Sequence, residues 1–217
     1  MNLSRVFFLA FILFVSCGGG SGPEKEPVKS SGPTENESNI IKEGSYSFDS
    51  SKTKIIWNGF KTTDKIKVTG QFEKFVSSRE KLNYNSLEEL VNGLDFSIST
   101  SSSVSGDAVR DMNLKDYFFK LLTDKFTLSG TLGLPKEGLI PVTFNTLLGS
   151  KTVDLNFSFE KNIVEIRGVI DIGLDLGGIL AYDSIHEKCE QLHTGGDGVS
   201  KTWSEVEVLV KVPIIRN

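Results

Sequence analysis

The chain has 217 residues, enough for one domain of ordinary size plus a tail but not for several independent cores. Its 28 acidic residues outnumber the 24 Lys and Arg, a formal net charge of −4, which excludes a nucleic-acid partner in so far as phosphate binding needs a basic surface. Only two cysteines are present, and one of them is assigned below to a lipid anchor, so a disulfide framework is excluded as well.

At the N-terminus Arg5 precedes an apolar run from Val6 to Val15, well short of the roughly 20 apolar residues that a spanning helix needs. Residues 1–16 therefore read as a signal peptide. Ser16 and Gly18 flank Cys17, and Phe14 to Cys17 (FVSC) resembles the lipobox of bacterial lipoproteins, whose cysteine is lipidated and becomes the first residue after cleavage. Phe14 departs from the more usual Leu. No second apolar run is long enough to span a membrane, so the acyl chains on Cys17 are the expected membrane attachment. Residues 17–44 hold that cysteine and a Gly-, Ser-, Pro- and charge-rich stretch expected to be a flexible tether. Gly18, where some bacteria use Asp to retain a lipoprotein in the inner membrane, favours the outer membrane within an expected cell-envelope location, facing the periplasm or the surface.

From residue 45 to 217 one domain is expected, dominated by the period-two alternation of strands that face a core on one side and water on the other. Tyr46 to Phe48, Lys54 to Phe60 and Ile66 to Phe75 come first. Ser86 to Val91 (SLEELV) breaks the pattern as a short helix, with Ser86 as N-cap and Glu89 at the capping-box position. A strand from Leu94 to Thr100 is followed by a helix from Ala108 to Leu122, whose Val109, Met112, Phe119 and Leu122 lie near one stripe and are expected to face inward. Strands resume at Phe126 to Leu132 and Val142 to Leu148. In the next, Val153, Leu155, Phe157 and Phe159 share one face. The longest, from Val164, places Ile166, Gly168, Ile170, Ile172, Leu174 and Leu176 together. Gly178 to Leu192 reads as a third helix, and Val206 to Val212 as the last strand. Pro135 to Gly138, Gly149-Ser150 and Lys161-Asn162 supply turns.

About eight or nine long strands in an open sheet would leave edges prone to pairing with other chains, and closure into a barrel removes them. The expected fold is therefore mainly β: an extended antiparallel barrel of about eight strands with short helices at its ends. Gly70, Gly130 and Gly168, each inside a strand pattern, suit sites where a side chain would crowd a coiled strand.

Three segments resemble the YceI-like family in their order. They are Tyr46 to Lys61 (YSFDSSKTKIIWNGFK), Val68 to Phe75 (VTGQFEKF), and Ser97 to Phe119, in which a strand ending in Thr100 is followed by a serine-rich link, Arg110-Asp111, Leu114 and Phe118-Phe119. Leu121 to Lys125 and the inserted Tyr182 to Lys201 region depart from the family pattern. The resemblance implies a lipocalin-like barrel that holds a long-chain isoprenoid or other amphiphilic lipid, without a cofactor and without enzymatic activity. The inward faces independently propose Trp57, Phe72, Phe96, Phe126, Leu128, Phe144, Leu155, Phe157, Phe159, Ile166, Ile170 and Val208 as ligand-lining candidates. Arg110 is the headgroup candidate, a guanidinium facing a lipid phosphate. Its alternative role is structural, tied to a carboxylate or carbonyl at the barrel end, with Asp111 near the helix start.

A rival reading draws on the 186–203 region. On a helix His186, Cys189 and His193 would share a face as metal ligands, with Glu190 as a fourth, although the zincin motif requires His where Glu190 stands. In its bland form Cys189 is simply buried and the histidines lie near the surface. Gly195 to Trp203 (GGDGVSKTW) would instead serve a surface protein-interaction module. No Gly-x-Ser-x-Gly elbow, phosphate loop or nucleotide fingerprint supports an enzyme.

Overall fold

The computed structural model describes residues 43–79 and 82–216, so the expected signal peptide, Cys17 and almost all of the expected tether lie outside the described residues. The first strand already begins at Glu43, two residues ahead of the expected domain start. From there β1 (Glu43–Phe48) leads into β2 (Lys54–Lys61) and β3 (Ile66–Phe72), the latter two paired as a hairpin. The expected strand from Ile66 to Phe75 is interrupted at Glu73-Lys74 and resumes as β4 (Phe75–Ser77). Beyond it come β5 (Tyr84–Ser86), helix α1 (Leu87–Val91), β6 (Asp95–Ser99) and β7 (Ser103–Val104), with a 3-10 turn over Thr100–Ser102 between the last two. The two interruptions face each other. Ser102 Oγ accepts from the backbone N–H of Glu73 at 3.2 Å and of Lys74 at 3.0 Å, which satisfies donors that the broken ladder would have stranded.

The remaining strands are β8 (Thr127–Leu132), β9 (Leu139–Thr146), β10 (Gly149–Glu160), β11 (Ile163–Asp171) and β12 (Glu205–Arg216). All pairings are antiparallel, and the sheet runs β6-β8-β9-β10-β11-β12-β2-β3. Because β3 then pairs with β7 and β4 with β6, the sheet curls back onto its own beginning. Counting each interrupted strand once gives eight staves, as the alternation predicts.

The two ends of this barrel differ. At one end β1 pairs with the last residues of β12 and with β5, and α1 buries Leu87, Leu90 and Val91 alongside Tyr46, Phe48 and Ile214, closing that end. The Lys161-Asn162 hairpin lies at the same end, with both residues at positive φ as a two-residue turn requires. Ser86 caps α1, accepting from the Glu89 N–H at 3.0 Å, while the Glu89 carboxylate reaches back to the Asn85 N–H at 2.9 Å.

At the other end lie the longer helical pieces. Residues 108–122 are helical as expected, but as three consecutive parts: α2 (Ala108–Asn113), a π-helical segment (Leu114–Phe119) and α3 (Lys120–Leu122). The π segment corrects the predicted stripe. A residue inserted into the turns shifts the phase by about 100°. Consequently Phe119 and Leu122 are buried whereas Val109 and Met112 stand 59% and 55% exposed. The long strand expected to reach Leu176 also stops early, at Asp171. The Asp171 carboxylate accepts from the N–H groups of Gly173 (2.9 Å) and Leu174 (2.8 Å), folding the chain into a turn that leaves Leu174 82% exposed. Helix α4 (Ile179–Lys188) likewise ends four residues before the predicted Leu192, with Cys189 as its C-cap.

Candidate functional site: an apolar cavity with a polar mouth

Inward side chains from every stave line a cavity of about 550 Å³, within the ~300–1,000 Å³ typical of small-molecule sites. Its depths are apolar. Ile55, Trp57, Phe144, Leu155, Ile166 and Val210 are representative, and the Trp57 Nε1–H is satisfied by Ser103 Oγ at 3.1 Å, so the ring adds no stranded donor. The inward glycines let aromatic rings lie flat against the wall. Trp57 covers Gly70 in the paired strand, and a Cβ at Gly70 would sit inside the indole. Phe96 and Phe144, from the two strands flanking Gly130, meet above it with ring centroids 5.9 Å apart.

Of the candidate lining residues, Trp57, Phe72, Phe96, Leu128, Phe144, Leu155, Ile166, Ile170 and Val208 line this cavity. Three do not. Phe157 lies beyond Leu155 in the packed core of the closed end, and Phe159 beyond it again meets Tyr46 edge-on at 6.2 Å. Phe126 falls in the turn before β8 with φ 57°, out of phase with the strand, and the Lys115 ammonium lies 5.5 Å from its ring centroid.

The ionisable side chains on the cavity wall are all at the helical end, on α2, α4, the loop after α4 and the tip of β2. They are Lys61, Asp107, Arg110, Tyr182, Cys189 and His193. Asp107 caps α2, its Oδ1 accepting from the N–H groups of Val109 and Arg110 at 3.0 Å each, and the bond from Arg110 N–H is the main reason its carboxyl titrates below the usual range. Arg110 takes the structural ties anticipated as its alternative role: Nη1 donates to Ser105 at 3.2 Å (Oγ) and 3.4 Å (carbonyl), and Nη2 reaches Asp107 Oδ2 at 3.5 Å. Asp111 is engaged separately, accepting from Ser105 Oγ at 2.6 Å. Arg110 nevertheless lines the mouth. Lys61, Asn113 and His193, none of them singled out as lipid-site residues by pattern, stand there too.

His186, Cys189 and His193 are not gathered into a metal centre. Among the described residues no group of three or more His, Cys, Asp or Glu is placed to hold an ion. The physical reason is the early end of α4: the chain turns at Cys189 into a short 3-10 helix over Gln191–His193, so the i, i+3, i+7 spacing does not lie on one helical face. Both imidazoles are instead drawn to a single hydroxyl. Thr202 Oγ1 lies 3.0 Å from His186 Nδ1 and 2.6 Å from His193 Nδ1. A hydroxyl has one proton to give, so at least one of these Nδ1 atoms carries its own. Tyr182 donates to the Thr202 carbonyl at 2.8 Å, and burial raises its pKa; burial likewise holds Cys189 as a thiol. The loop proposed as an interaction module is tied down: Asp197 accepts from Thr63 Oγ1 at 2.6 Å and Trp203 Nε1–H donates to the Thr62 carbonyl at 2.9 Å.

Burial, with help from the charges of Lys61, His186 and Arg110, lowers the His193 pKa from 6.5 to about 4. Below pH 6.5 the unfolded chain binds a proton at this residue and the native protein does not until about pH 4, so stability falls across that window and levels below it. The loss amounts to roughly 1–2 kcal/mol once solvent screening of the part-exposed ring is allowed for. In His193→Gln the melting temperature should fall less steeply between pH 6.5 and 4 than in the parent; an unchanged slope would assign the acid sensitivity elsewhere.

No family model matches the sequence, and no curated protein is detectably similar to it. Solved structures do match. A polyisoprenoid-binding domain from Saccharophagus degradans, implicated in plant cell wall breakdown, is 14% identical, with 79% of this chain and 98% of that one covered and a TM-score of 0.54. BcnA from Burkholderia cenocepacia is 15% identical over 78% of this chain and 99% of that one, at a TM-score of 0.45. A YceI protein from Campylobacter jejuni is 16% identical over 69% and 85%, also at 0.45. With antiparallel pairings that lead the sheet back onto its beginning, a hollow apolar interior and the first of these likenesses, the chain has the fold of the polyisoprenoid-binding domain from S. degradans.

Proposed function

We propose that this protein is a membrane-anchored binding protein, and not an enzyme, that holds a long-chain isoprenoid or related amphiphilic lipid inside its barrel. The observation that carries the reading is the distribution of polarity along the cavity: apolar throughout its depth and ionisable at one end, the profile of an amphiphile laid along the axis. Each methylene moved from water contributes roughly 0.8 kcal/mol, so ten carbons supply about 8 kcal/mol before the entropic cost of association is subtracted. The lipid-binding domain of like fold from S. degradans supports the same assignment. Attachment through a lipidated Cys17, in the cell envelope and with the outer membrane favoured, completes the proposal on the strength of residues 1–18.

Organic extraction of a Cys17→Ser protein lacking the signal segment, followed by mass spectrometry, tests it. A long-chain amphiphile in stoichiometric amount is expected. Protein that releases none, and that takes up none when offered prenyl or alkyl chains, would refute the reading. Labelling of the native protein with radioactive palmitate, lost in Cys17→Ser, tests the anchor separately.

A further inference from the structure

We propose that the mouth of the cavity, between the start of α2 and the loop after α4, is a headgroup site selective for a single negative charge, so that the amphiphile is a monoanion of the carboxylate type. This rests on the lipid-binding reading and narrows its ligand class.

The first observation is Lys61. It is the last residue on the inward face of β2, in phase with Ile55, Trp57 and Gly59, and it lines the cavity. Its ammonium makes no ion pair with any described residue, although it lies near enough to Asp107, Cys189 and His193 to lower the pKa of each. An inward lysine is uncommon without a partner. The second is Asn113, at the end of α2. Only 5% exposed and part of the cavity wall, its side-chain amide makes no hydrogen bond with a described residue. The amide therefore faces the cavity with its donors and acceptor available to a bound head. Arg110 is the third. Its contact with Asp107 is long, 3.5 Å, and the other oxygen of that carboxylate is committed to the helix cap, so the guanidinium retains donors for a second acceptor.

The charge balance selects among heads. Lys61 and Arg110 bring two positive charges and Asp107 one negative, while burial keeps His193 neutral near pH 7. One anionic charge neutralises the mouth. A head with two or three would meet the Asp107 carboxylate, and a neutral head would leave Lys61 uncompensated. Val109 and Leu192, 59% and 62% exposed, add apolar surface beside these polar groups where the cavity meets solvent.

The test compares heads at constant tail. Purified, delipidated protein is titrated by calorimetry at pH 8 and low salt with dodecanoic acid against 1-dodecanol, and with farnesoic acid against farnesol. For both tails the acid is expected to bind at least tenfold more tightly, a preference that shrinks as salt is raised. In Lys61→Gln, shown to be folded by its circular dichroism and melting temperature, the ratio of acid to alcohol affinity should fall to threefold or less; Asn113→Leu should weaken acid and alcohol together. Equal affinities for acid and alcohol, or a preference that survives Lys61→Gln, would overturn the inference and leave lipid binding standing. If none of the four compounds binds, the lipid-binding reading itself fails.

Discussion

Replacing Val208 by Trp is expected to abolish uptake of long apolar chains while leaving the barrel folded. Val208, the fourth residue of β12, is paired with Trp57 on one side and Gly168 on the other, and it lines the cavity while remaining only partly buried. An indole there projects into the cavity, so the destabilisation is expected to stay within the usual overpacking cost of ~1–3 kcal/mol. Binding is affected far more, because the chain must pass this level to reach the depths of the cavity. A fall in affinity of at least 30-fold for dodecanoic acid is expected, with the urea midpoint nearly unchanged. Retained affinity at retained stability would mean that the chain lies elsewhere.

The opposite dissociation is expected at Gly130. This residue is paired with Phe96 and Phe144, whose rings meet edge to face over it, and an added Cβ would run into the Thr143 carbonyl oxygen and the Phe96 ring together. A backbone atom cannot rotate away, so Gly130→Val forces two strands and two aromatic rings apart. We expect a loss of at least 4 kcal/mol, in the exceptional range for a single change. Gly196→Ala is the control, since nothing lies within 4 Å of its new Cβ. Equal denaturation midpoints for the two variants would contradict the account of how the glycines shape the wall.

The contrast between these sites shows what was readable in advance. Alternation was a reliable guide where strands are long and paired on both sides, as in β10, β11 and β12, because one face there has no choice but to be apolar. It failed where a local polar interaction outcompeted the ladder. Asp171 ended β11 with its own carboxylate and turned Leu174 outward, although Ile172 and Leu176 of the same predicted face still line the cavity. The inserted π turns put Met112 out of phase with Phe119 and Leu122 and left Val109 at the exposed rim of the cavity, and no periodicity of 3.6 reveals such an insertion. Phe157 and Phe159 had the right face but the wrong depth, since the plug that closes one end is built by β1 and α1 from distant sequence.

At the mouth, one signal was present and unused. Lys61 falls on the same inward phase as Trp57, and a charge on an apolar face marks either a barrel end or a ligand contact. Asn113 carried no comparable mark, since a single polar residue at a helix end gives no sign of its burial. His193 was noticed for the wrong chemistry: its spacing suggested a metal, whereas the chain beyond α4 turns and both histidines share the Thr202 hydroxyl.

The central claim, that an apolar chain occupies the inside of the barrel, is tested most directly through Trp57. The protein has two tryptophans, so Trp203→Phe leaves Trp57, deep on the cavity wall, as the sole reporter, and Trp57→Phe leaves Trp203 at the mouth. Titration with a fatty acid brominated near the middle of its chain should quench Trp57 fluorescence to saturation at one ligand per protein. Quenching confined to Trp203, with Trp57 untouched at saturating ligand, would place the chain outside the barrel and contradict the account.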